Sequence, residues 1–576
     1  MVDDLLAGLD PEQRQIAECL RGPVCVLAGA GTGKTRTLTH RIAHGVRTGV
    51  YAPGRVLAVT FTRKAAAELQ ARLRHLGAEG VRAQTFHGAA LAQLGFFWPQ
   101  LIGGTAPKVI GGKVPVISQA VESLNLRLPA ETLRDIAAEI EWRKVSMLSV
   151  ETYAGLFTSN DQPRLAPSGV TPEQLIAIHE RYTQLLDERR QIDFEDVLIL
   201  ATGMLESEPR AAMQVREQYR FFTVDEYQDV SPLQHALLRV WLGERDDLCV
   251  VGDASQTIYS FAGATSSYLL RFGLEHQGAN EFRLERNYRS DERIVRAANT
   301  LMRDQPGSLT LRAQRQGQAG AAVGASARDS AAHSAVSAEW FDTEHEEAQA
   351  VAASIRASID AGMPTSDIAV LYRANAQSAN IESALQQVGV QVKVHGAQRF
   401  FDRAEVRQAV LLLQGQTKVH DPRPLFQVVS DVLRAVGWTT SPPQGGAARE
   451  KWESLNAILA LVDELPAATT IKMFSDELLV RSRTHHEPTI DAVTLSAVHA
   501  AKGLEWSLVH LIGMSEGLMP SAYAKDSQAI DEERRLAYVA ITRARDVLRI
   551  SGTAGSARTA RTPSRFLAEA GLRFTR

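Results

Sequence analysis

The chain has 576 residues, of which 45% are hydrophobic and 22% are charged. This length exceeds what one compact core supports, so we expect several domains. With 63 Lys and Arg against 66 Asp and Glu, the net charge of −3 excludes a uniformly basic surface but not a local cationic groove. The three cysteines lack ligand spacing, which excludes a disulfide framework or zinc site. The polar N-terminal segment and the absence of any membrane-length apolar run predict a cytoplasmic protein with no membrane partner.

Short apolar, β-branched runs recur in two series, and helical patterns follow them. The first series is Val24–Ala28, Arg55–Phe61, Phe221–Asp225 and Leu248–Asp253. The second series is Ile368–Tyr372, Val493–Val498, Leu508–Ile512 and Val547–Ser551. Strands that alternate with helices are typical of parallel sheets with helical crossovers. The sequence therefore predicts an α/β protein with two sheets.

Each predicted sheet is interrupted by a helical stretch. From Ala89 to about Asp193 strand signals are absent, and helical periodicity dominates at Ala130–Lys144 and Glu173–Arg190. A second mostly helical insertion is predicted at Thr417–Arg483, with a loop at 441–446. Residues 304–337 are rich in Ala, Gly, Ser and Gln, which favours irregular surface structure.

These patterns predict four domains. A first sheet domain comprises 1–88 and 194–285, with its helical insertion at 89–193. A second sheet domain comprises 286–416 and 484–576, and a shorter helical insertion occupies 417–483.

Residues 28–35 read Ala-Gly-Ala-Gly-Thr-Gly-Lys-Thr, between a predicted strand and a predicted helix. Backbone N–H groups of Gly29–Lys34 would surround a phosphate, Lys34 would neutralise the β and γ charge, and Thr35 would hold magnesium. Ala28 stands where the strict pattern has glycine. The context nevertheless favours nucleotide binding.

Asp225 and Glu226 follow the buried run at 221–224. In a nucleotide hydrolase, Asp225 would bind magnesium and Glu226 would act as the general base on the attacking water. An Asp-Glu pair at a strand end is otherwise often a solvated loop. The other motifs that accompany the pair in this sequence favour the catalytic interpretation.

Many segments in a fixed order resemble the UvrD/PcrA/Rep group of superfamily-one DNA helicases. They include Val-Asp-Glu-Tyr-Gln-Asp at 224–229 and Leu-Glu-Arg-Asn-Tyr-Arg-Ser at 284–290. The resemblance spans essentially the whole chain; its segments are 9–13, 28–35, 58–69, 85–88, 193–196, 224–229, 251–264, 284–290, 493–506, 532–545 and 563–567.

The resemblance implies two RecA-like P-loop NTPase domains, each with a helical insertion, and an ATPase that requires Mg²⁺. Gln13 would read the adenine edge, Arg36 and Tyr288 would sandwich the base, and Glu505 would contact the ribose. The implied nucleotide-binding residues are Gln13, Ala28, Gly29, Ala30, Gly31, Thr32, Gly33, Lys34, Thr35, Arg36, Tyr288 and Glu505.

The resemblance also assigns catalytic roles. Gln256 would sense the γ-phosphate, and Arg289 and Arg543 would act as arginine fingers, which stabilise charge on the transferring phosphoryl group. The implied catalytic set is Lys34, Asp225, Glu226, Gln256, Arg289 and Arg543, with Thr35 and Asp225 as metal ligands.

A sequence-independent grip on single-stranded DNA needs aromatic rings for bases and polar groups for phosphates. Matching positions imply base stacking by Phe61, Phe194, Tyr259 and Phe261, although ordinary core packing remains an alternative for each ring. The residues implied to hold or border the strand are Thr60, Thr62, Arg63, Lys64, Thr85 and His87. Arg63, Ala262 and Ser521 depart from the usual Asn, Arg and His of the group.

The resemblance implies an ATP-dependent helicase that moves 3′ to 5′ on single strands and at single-strand/duplex junctions, in repair, replication or recombination. DNA-repair proteins are expected partners, and the form is a monomer or weak dimer. The short second insertion favours an alternative, a translocase that strips proteins from single strands with weak unwinding. A non-catalytic DNA-binding subunit is a third hypothesis, which Lys34, Glu226 and Arg543 oppose.

Overall fold

The computed structural model describes residues 5–158, 164–315, 335–395, 401, 403–416, 423–440, 446–463, 465, 469–484, 491–556 and 559–575. Contacts divide the chain into two compact units. Unit 1 comprises Met1–Glu285 and Pro306–Leu309, and unit 2 comprises Arg286–Gln305 and Thr310–Arg576. The four-domain division is finer than this and stays a prediction.

Unit 1 is built on a parallel sheet. Its strands in chain order are β1 (Val24–Ala28), β2 (Val56–Thr60), β3 (Arg82–Thr85), β4 (Lys108–Val109), β5 (Gln191–Ile192), β6 (Phe221–Val224), β7 (Leu248–Gly252) and β8 (Asn280–Leu284). Six of them form one sheet in the order β3-β2-β6-β7-β1-β8, and all neighbours are parallel. The short strands β4 and β5 pair separately.

Unit 1 has helices on both faces of this sheet and a further helical part between β4 and β5. They are α1 (Pro11–Glu18), α2 (Lys34–Arg47), α3 (Arg63–His75), α4 (Phe86–Leu101), α5 (Val114–Ser123), α6 (Ala130–Val145), α7 (Val150–Gly155), α8 (Pro172–Glu188), α9 (Phe194–Ser207), α10 (Pro209–Gln218), α11 (Pro232–Leu242), α12 (Ser267–Leu270) and α13 (Phe272–Glu275).

Strand β1 shows why the sheet needs cover on both sides. Val24 and Val26 pack with Leu38 of α2 in one apolar core, whereas Cys25 packs with Leu237 of α11 in the other. Successive side chains of a strand point to opposite faces, so an almost continuous apolar run requires two cores. The helices α5 to α8 enclose a third core of their own.

Unit 2 has a second parallel sheet. Its strands are β9 (Arg286–Asn287), β10 (Arg312–Ala313), β11 (Val336–Phe341), β12 (Ile368–Tyr372), β13 (Val392–His395), β14 (Val493–Ala497), β15 (Trp506–Leu511), β16 (Ala544–Thr553), β17 (Gly555–Ser556) and β18 (Thr559–Ala560). The main sheet has the order β11-β16-β15-β12-β14-β13, again with parallel neighbours.

The helices of unit 2 are α14 (Glu292–Leu301), α15 (Glu344–Asp360), α16 (Ser378–Gln387), α17 (Ala404–Gln416), α18 (Leu425–Val436), α19 (Gly446–Asp463), α20 (Ile471–Thr484), α21 (Ser527–Ile541) and α22 (Arg565–Glu569). Helices α17 to α20 share an apolar core that includes Leu413, Val429 and Phe474. None of the helices within the described ranges is long and apolar enough to cross a bilayer.

The predicted α/β class is confirmed, and all eight predicted strands are present, with ends shifted by up to three residues. The prediction that 89–193 lacks strands is wrong, because β4 and β5 lie there; two-residue strands are too short to produce an alternating pattern. Of the predicted loop at 441–446, only Gly446 is described, and it begins α19. Within 304–337, residues 316–334 lie outside the described ranges, and Ser337 belongs to β11.

Candidate nucleotide and nucleic-acid site

The phosphate loop connects buried β1 directly to α2. Gly31 and Gly33 have φ values of +70° and +82°, a region that favours glycine. A Cβ on Gly33 would also lie 2.7 Å from Nε2 of Gln13. Gln13 is buried, and its Nε2 donates to the Thr32 carbonyl at 3.0 Å. Gln13 therefore supports the loop directly, while its predicted contact with adenine stays a prediction.

The loop amides differ in availability. The Gly29 N–H donates to the Leu284 carbonyl at 3.2 Å, so it is already used within the fold. In the described part of the chain, the amides of Gly31, Thr32 and Gly33 have no backbone acceptor. Unpaired amides at the start of a helix attract anions, because the helix dipole adds to their partial charges.

Lys34 opens α2 with its side chain largely buried. Its Nζ lies 3.6 Å from Oε1 of Glu226 and has no hydrogen-bond partner among the described residues. A buried ammonium group without hydrogen bonds is costly unless an anion satisfies it. The environment of Lys34 thus suits a phosphate oxygen.

Asp225 and Glu226 lie at the carboxyl end of β6. Oδ1 of Asp225 accepts the Glu226 N–H at 3.0 Å, and Glu226 has a left-handed φ of +53°. Burial, followed by the Glu226 carboxylate, raises the pKa of Asp225 to about 7, and Lys34 offsets part of this effect. A bound cation would offset it further.

The residues fit a magnesium ion. Thr35 and Asp225 supply hard oxygen donors, which Mg²⁺ prefers. Within the described ranges there is no cluster of three His, Cys, Asp or Glu residues that could hold a metal. Mg²⁺ needs no such cluster, because it is usually held by one or two protein oxygens together with water and substrate phosphates. Thr35 and Asp225 match this kind of site.

A chain of hydrogen bonds runs from the Lys34 partner to Gln256. Glu226 Oε2 accepts from Nε2 of Gln228 at 2.5 Å, and Oε1 of Gln228 accepts from the Asp253 N–H at 3.0 Å. Oδ2 of Asp253 then accepts from Nε2 of Gln256 at 2.7 Å. We refer to these side chains, Lys34, Glu226, Gln228, Asp253 and Gln256, as the polar chain. Sequence reasoning missed Gln228 and Asp253, which lie inside the quoted segments 224–229 and 251–264.

In unit 2, three predicted site residues lie together. Arg289 Nε is 2.6 Å from Oε2 of Glu505, and Arg289 Nη1 donates to the Thr542 carbonyl at 3.3 Å. Arg543 is 2% exposed, and its Nη1 donates to the Leu504 carbonyl at 3.1 Å. The fold thus joins residues more than two hundred positions apart in the chain.

The two predicted adenine-sandwiching side chains are both exposed in their own units. Arg36 donates from Nη2 to the Gly8 carbonyl at 2.7 Å, and Tyr288 follows β9. Ala28 and Ala30 are buried on either side of Gly29. The nucleotide contacts of these residues stay predictions.

Except for Phe194, which follows the separately paired strand β5, the predicted strand-binding residues of unit 1 lie at or just after the carboxyl ends of β2, β3 and β7, and the phosphate loop follows β1. Because the strands are parallel, these ends meet at one edge of the sheet, where ligands of such folds bind. Phe61 and Tyr259 are stacked with their ring centroids 5.4 Å apart, and Phe261 meets Tyr259 edge-on at 6.1 Å. Phe61 is 41% and Phe261 62% exposed, so these rings are not ordinary core residues.

His87 and Phe194 form a second aromatic pair, with centroids 5.6 Å apart and Phe194 46% exposed. Burial, with Lys113 and Arg63 nearby, lowers the pKa of His87 to about 4. His87 is therefore neutral near pH 7 and offers a hydrogen bond rather than a charge. Its Nε2 has no hydrogen-bond partner within the described ranges.

The remaining predicted strand contacts are polar. Thr62 and Thr85 cap helices, each accepting a backbone N–H from the first turn of α3 and α4 at 3.1 and 3.0 Å. Arg63 and Lys64 are exposed in the first turn of α3, whereas Thr60 at the end of β2 is buried. Thr60 therefore lies beneath the surface that Phe61, Arg63 and Lys64 form.

Comparison with known proteins identifies the class of this fold and site. A family model described as the UvrD/REP helicase N-terminal domain matches residues 9–277. A second, described as the UvrD-like helicase C-terminal domain, matches residues 282–443 and 444–555. The chain belongs to the UvrD/REP helicase family, which confirms the predicted resemblance and the RecA-like fold and makes this protein a helicase with ATPase activity.

Individual relatives cover almost the whole chain. ATP-dependent DNA helicase UvrD2 of Mycobacterium tuberculosis (strain ATCC 25618 / H37Rv) is 42% identical over 589 residues, covering 98% of this chain and 82% of the relative. ATP-dependent DNA helicase PcrA of Bacillus subtilis (strain 168) is 28% identical, covering 98% of this chain and 86% of the relative. PcrA of Leuconostoc citreum is also 28% identical and covers 99% of this chain.

Proposed function

We propose that this protein is an ATP-dependent DNA helicase and single-strand translocase that moves 3′ to 5′. One observation carries the proposal: the polar chain and the aromatic group of Phe61, Tyr259 and Phe261, in which both phenylalanine rings are exposed, lie at the same edge of the unit 1 sheet. The first suits a triphosphate, and the second suits stacked bases. The relatives named as ATP-dependent DNA helicases support both ligands.

In the proposed reaction, the amides of residues 31–34 and the Lys34 ammonium hold the β- and γ-phosphates. Glu226 accepts a proton from the attacking water, and Gln256 contacts the γ-phosphate. When bound through Thr35 and Asp225, Mg²⁺ would offset the charge of the phosphate oxygens. Arg289 and Arg543 supply further positive charge to the transferring phosphoryl group, and Glu505 contacts the ribose.

For the strand, Phe61, Phe194, Tyr259 and Phe261 stack bases, which every base permits because each has a π-face. Arg63 and Lys64 attract the phosphates, and Thr62, Thr85 and neutral His87 provide hydrogen bonds. These contacts do not read sequence. We therefore propose single-stranded DNA and single-strand/duplex junctions as substrates.

The test is strand separation on duplexes with a 3′ tail or a 5′ tail, with and without ATP and Mg²⁺. We expect unwinding of the 3′-tailed duplex only, and only with both ATP and Mg²⁺, and none with Glu226→Gln. Unwinding of the 5′-tailed duplex alone would contradict the polarity, and ATP-independent separation would contradict the mechanism.

A displacement assay with streptavidin bound to a biotinylated strand distinguishes the helicase from the alternative, a translocase that strips proteins from single strands. Helices α18 and α19 lie within the shorter predicted insertion, 417–483, and α20 ends one residue beyond it; α17, which precedes the insertion, shares their apolar core. Displacement of streptavidin without strand separation would select the translocase that strips proteins from DNA. Roles in repair, replication or recombination, repair-protein partners, a monomer or weak dimer, and a cytoplasmic location stay predictions.

A further inference from the structure

The last turn of α6 contacts two separate elements that carry the proposed base-stacking rings. Helix α6 belongs to the helical part of unit 1 between β4 and β5, and it ends at Val145. Lys144 reaches the start of α9, where Phe194 is the first residue. Val145 reaches the turn that follows Phe261.

Lys144 forms a buried ion pair with both carboxylates at the start of α9. Its Nζ lies 2.8 Å from Oδ2 of Asp193 and 2.7 Å from Oδ1 of Asp196, and the residue is 5% exposed. The Tyr182 hydroxyl also donates to Oδ2 of Asp193, at 2.9 Å. Removing one member of a buried ion pair leaves the partner charge uncompensated.

Asp193 links this ion pair to Phe194. Its Oδ1 accepts the Asp196 N–H at 3.0 Å, while Asp196 Oδ2 accepts the Asp193 N–H at 3.2 Å, so the two residues cap α9 reciprocally. Such a cap fixes the path of the chain into the first turn. The position of the Phe194 ring therefore depends on the carboxylates that Lys144 holds.

Val145 packs against the other ring-bearing element. Tyr259 and Phe261 lie in a turn that ends at Gly263, whose φ is +83°. A Cβ at Gly263 would lie 2.5 Å from Cγ2 of Val145, so the Gly263 backbone approaches the Val145 side chain closely. Because Lys144 and Val145 are adjacent, one rigid helical turn contacts both elements.

We propose that Lys144 and Val145 form a positioning site that holds Phe194 and Phe261 in a fixed relation for stacking successive bases of a single strand. The inference rests on the proposed function, since it needs these rings to bind bases. It assigns the helical part of unit 1 a role in strand affinity through residues that do not contact the strand themselves. Neither residue is catalytic.

The test compares Lys144→Met with Lys144→Arg, which keeps the cation, and with Arg164→Met. The control Arg164→Met removes an ion pair in the same helical region, because Arg164 Nε lies 2.8 Å from Oε2 of Glu139. For each variant we measure the dT oligonucleotide concentration that half-saturates ATPase stimulation, the KM for ATP, and the maximal rate. Circular dichroism and thermal unfolding check the fold.

Lys144→Met should raise the half-saturating oligonucleotide concentration about tenfold, which lies within the range that stacking of a single base contributes. The KM for ATP and the maximal rate at saturating DNA should change less than about twofold, because the ATP contacts are untouched. Lys144→Arg should restore most of the affinity, and Arg164→Met should resemble the unchanged protein. Equal half-saturation in folded Lys144→Met would overturn the inference.

Gly263→Ala provides a second route that remains available if Lys144→Met does not fold. Its new methyl group should displace the turn and weaken DNA binding, whereas Val145→Ala in the same protein should recover part of the loss by removing Cγ2. Without such recovery, the proposed Val145 contact is wrong.

Hydrogen–deuterium exchange without DNA distinguishes failure of the inference from failure of the proposed function. Lys144→Met should increase exchange in both 193–198 and 259–264, and Arg164→Met should not. If this increase occurs but DNA does not stimulate the ATPase of the unchanged protein, the proposed function is wrong. The conclusion that Lys144 holds both segments in place is then retained. If neither segment changes, the positioning inference is wrong.

Discussion

At the scale of single residues, Glu226 combines two roles that can be separated by experiment. Its carboxylate lies 3.6 Å from the Lys34 ammonium and accepts a hydrogen bond from Gln228. Glu226→Gln keeps the size and one acceptor but removes the proposed base. We expect DNA-stimulated ATP turnover to fall about 100-fold or more, with nucleotide affinity changed far less.

Steady-state ATPase rates and titration with a fluorescent ADP analogue measure the two quantities for Glu226→Gln. Glu188→Gln is a suitable control, because Glu188 is an exposed partner of Arg181 in the helical region. Near-normal turnover in Glu226→Gln would contradict the assignment of the base.

Gly33 is constrained by its backbone angle and by its neighbour. Its φ of +82° and the 2.7 Å approach of Gln13 Nε2 to a Cβ both oppose any side chain. Gly33→Ala should therefore distort the phosphate loop and weaken nucleotide binding about tenfold or more. Gly95→Ala in α4, where a Cβ meets nothing within 4 Å, should leave binding unchanged. Equal nucleotide affinities in the two variants would contradict this prediction.

His179 predicts a pH dependence of stability. It is fully buried, its Nδ1 accepts from Arg143 Nε at 3.0 Å, and burial, with Arg143 and Lys144 nearby, lowers its pKa to about 3. Below about pH 6.5 the unfolded chain binds a proton that the folded protein excludes, so stability falls by about 1.4 kcal/mol per pH unit for such a group. The loss continues down to the folded pKa.

Thermal unfolding midpoints between about pH 7.5 and about pH 5 measure this dependence. His179→Gln keeps an acceptor for Arg143 but does not titrate, so its midpoint should decline less steeply as the pH falls. Parallel curves for the two proteins would show that His179 does not contribute.

At the scale of elements, the turn at 259–263, which carries Tyr259 and Phe261, leads to a further prediction. Tyr259 stacks on Phe61, and Phe261 is 62% exposed. Tyr259→Ala or Phe261→Ala should raise the half-saturating DNA concentration about fivefold or more, because each ring contributes stacking energy. Phe96→Ala removes an exposed ring of α4 outside this surface and should have no such effect. A uniform response to all three changes would contradict a specific stacking surface.

The elements also show what sequence patterns can predict. All eight predicted strands are interior strands of the two sheets, and β3, β8, β11 and β13, which the patterns missed, are the four edge strands. An interior strand is covered on both faces and reads as an apolar run, whereas an edge strand such as Asn280–Leu284 contains polar, exposed residues. Periodicity alone therefore identifies the middle of a parallel sheet and misses its borders.

In the candidate site, too, sequence patterns reveal only residues that belong to a local signature. Lys34 and Glu226 were predictable because a phosphate loop and a strand-end acidic pair have local signatures. Lys144 pairs with Asp193, and the Asp253 N–H donates to Gln228, in addition to the local bond that Asp253 accepts from Gln256. Contacts with such distant partners leave no signature in local spacing. The availability of each loop amide, including the use of Gly29 by Leu284, likewise depends on tertiary structure.

At the scale of the whole molecule, the proposed chemistry requires cations from unit 2. Arg289→Ala should lower the maximal ATPase rate about a thousandfold, as loss of an arginine finger does, with ADP affinity nearly unchanged. Single-turnover ATP hydrolysis and ADP titration measure both. Arg296→Ala, at an exposed position of α14 in the same unit, is the matched control. A loss of ADP affinity without loss of rate would assign Arg289 to binding instead.

The polar chain ends at Gln256, only three residues before Tyr259 in the same stretch of backbone. If Gln256 contacts the terminal phosphate as proposed, release of that phosphate would free its amide, and only two residues separate Gln256 from Tyr259. ATP hydrolysis and base stacking would then be coupled through this one short segment. Inserting one glycine between residues 256 and 259 should therefore leave ATP hydrolysis intact but abolish movement along the strand.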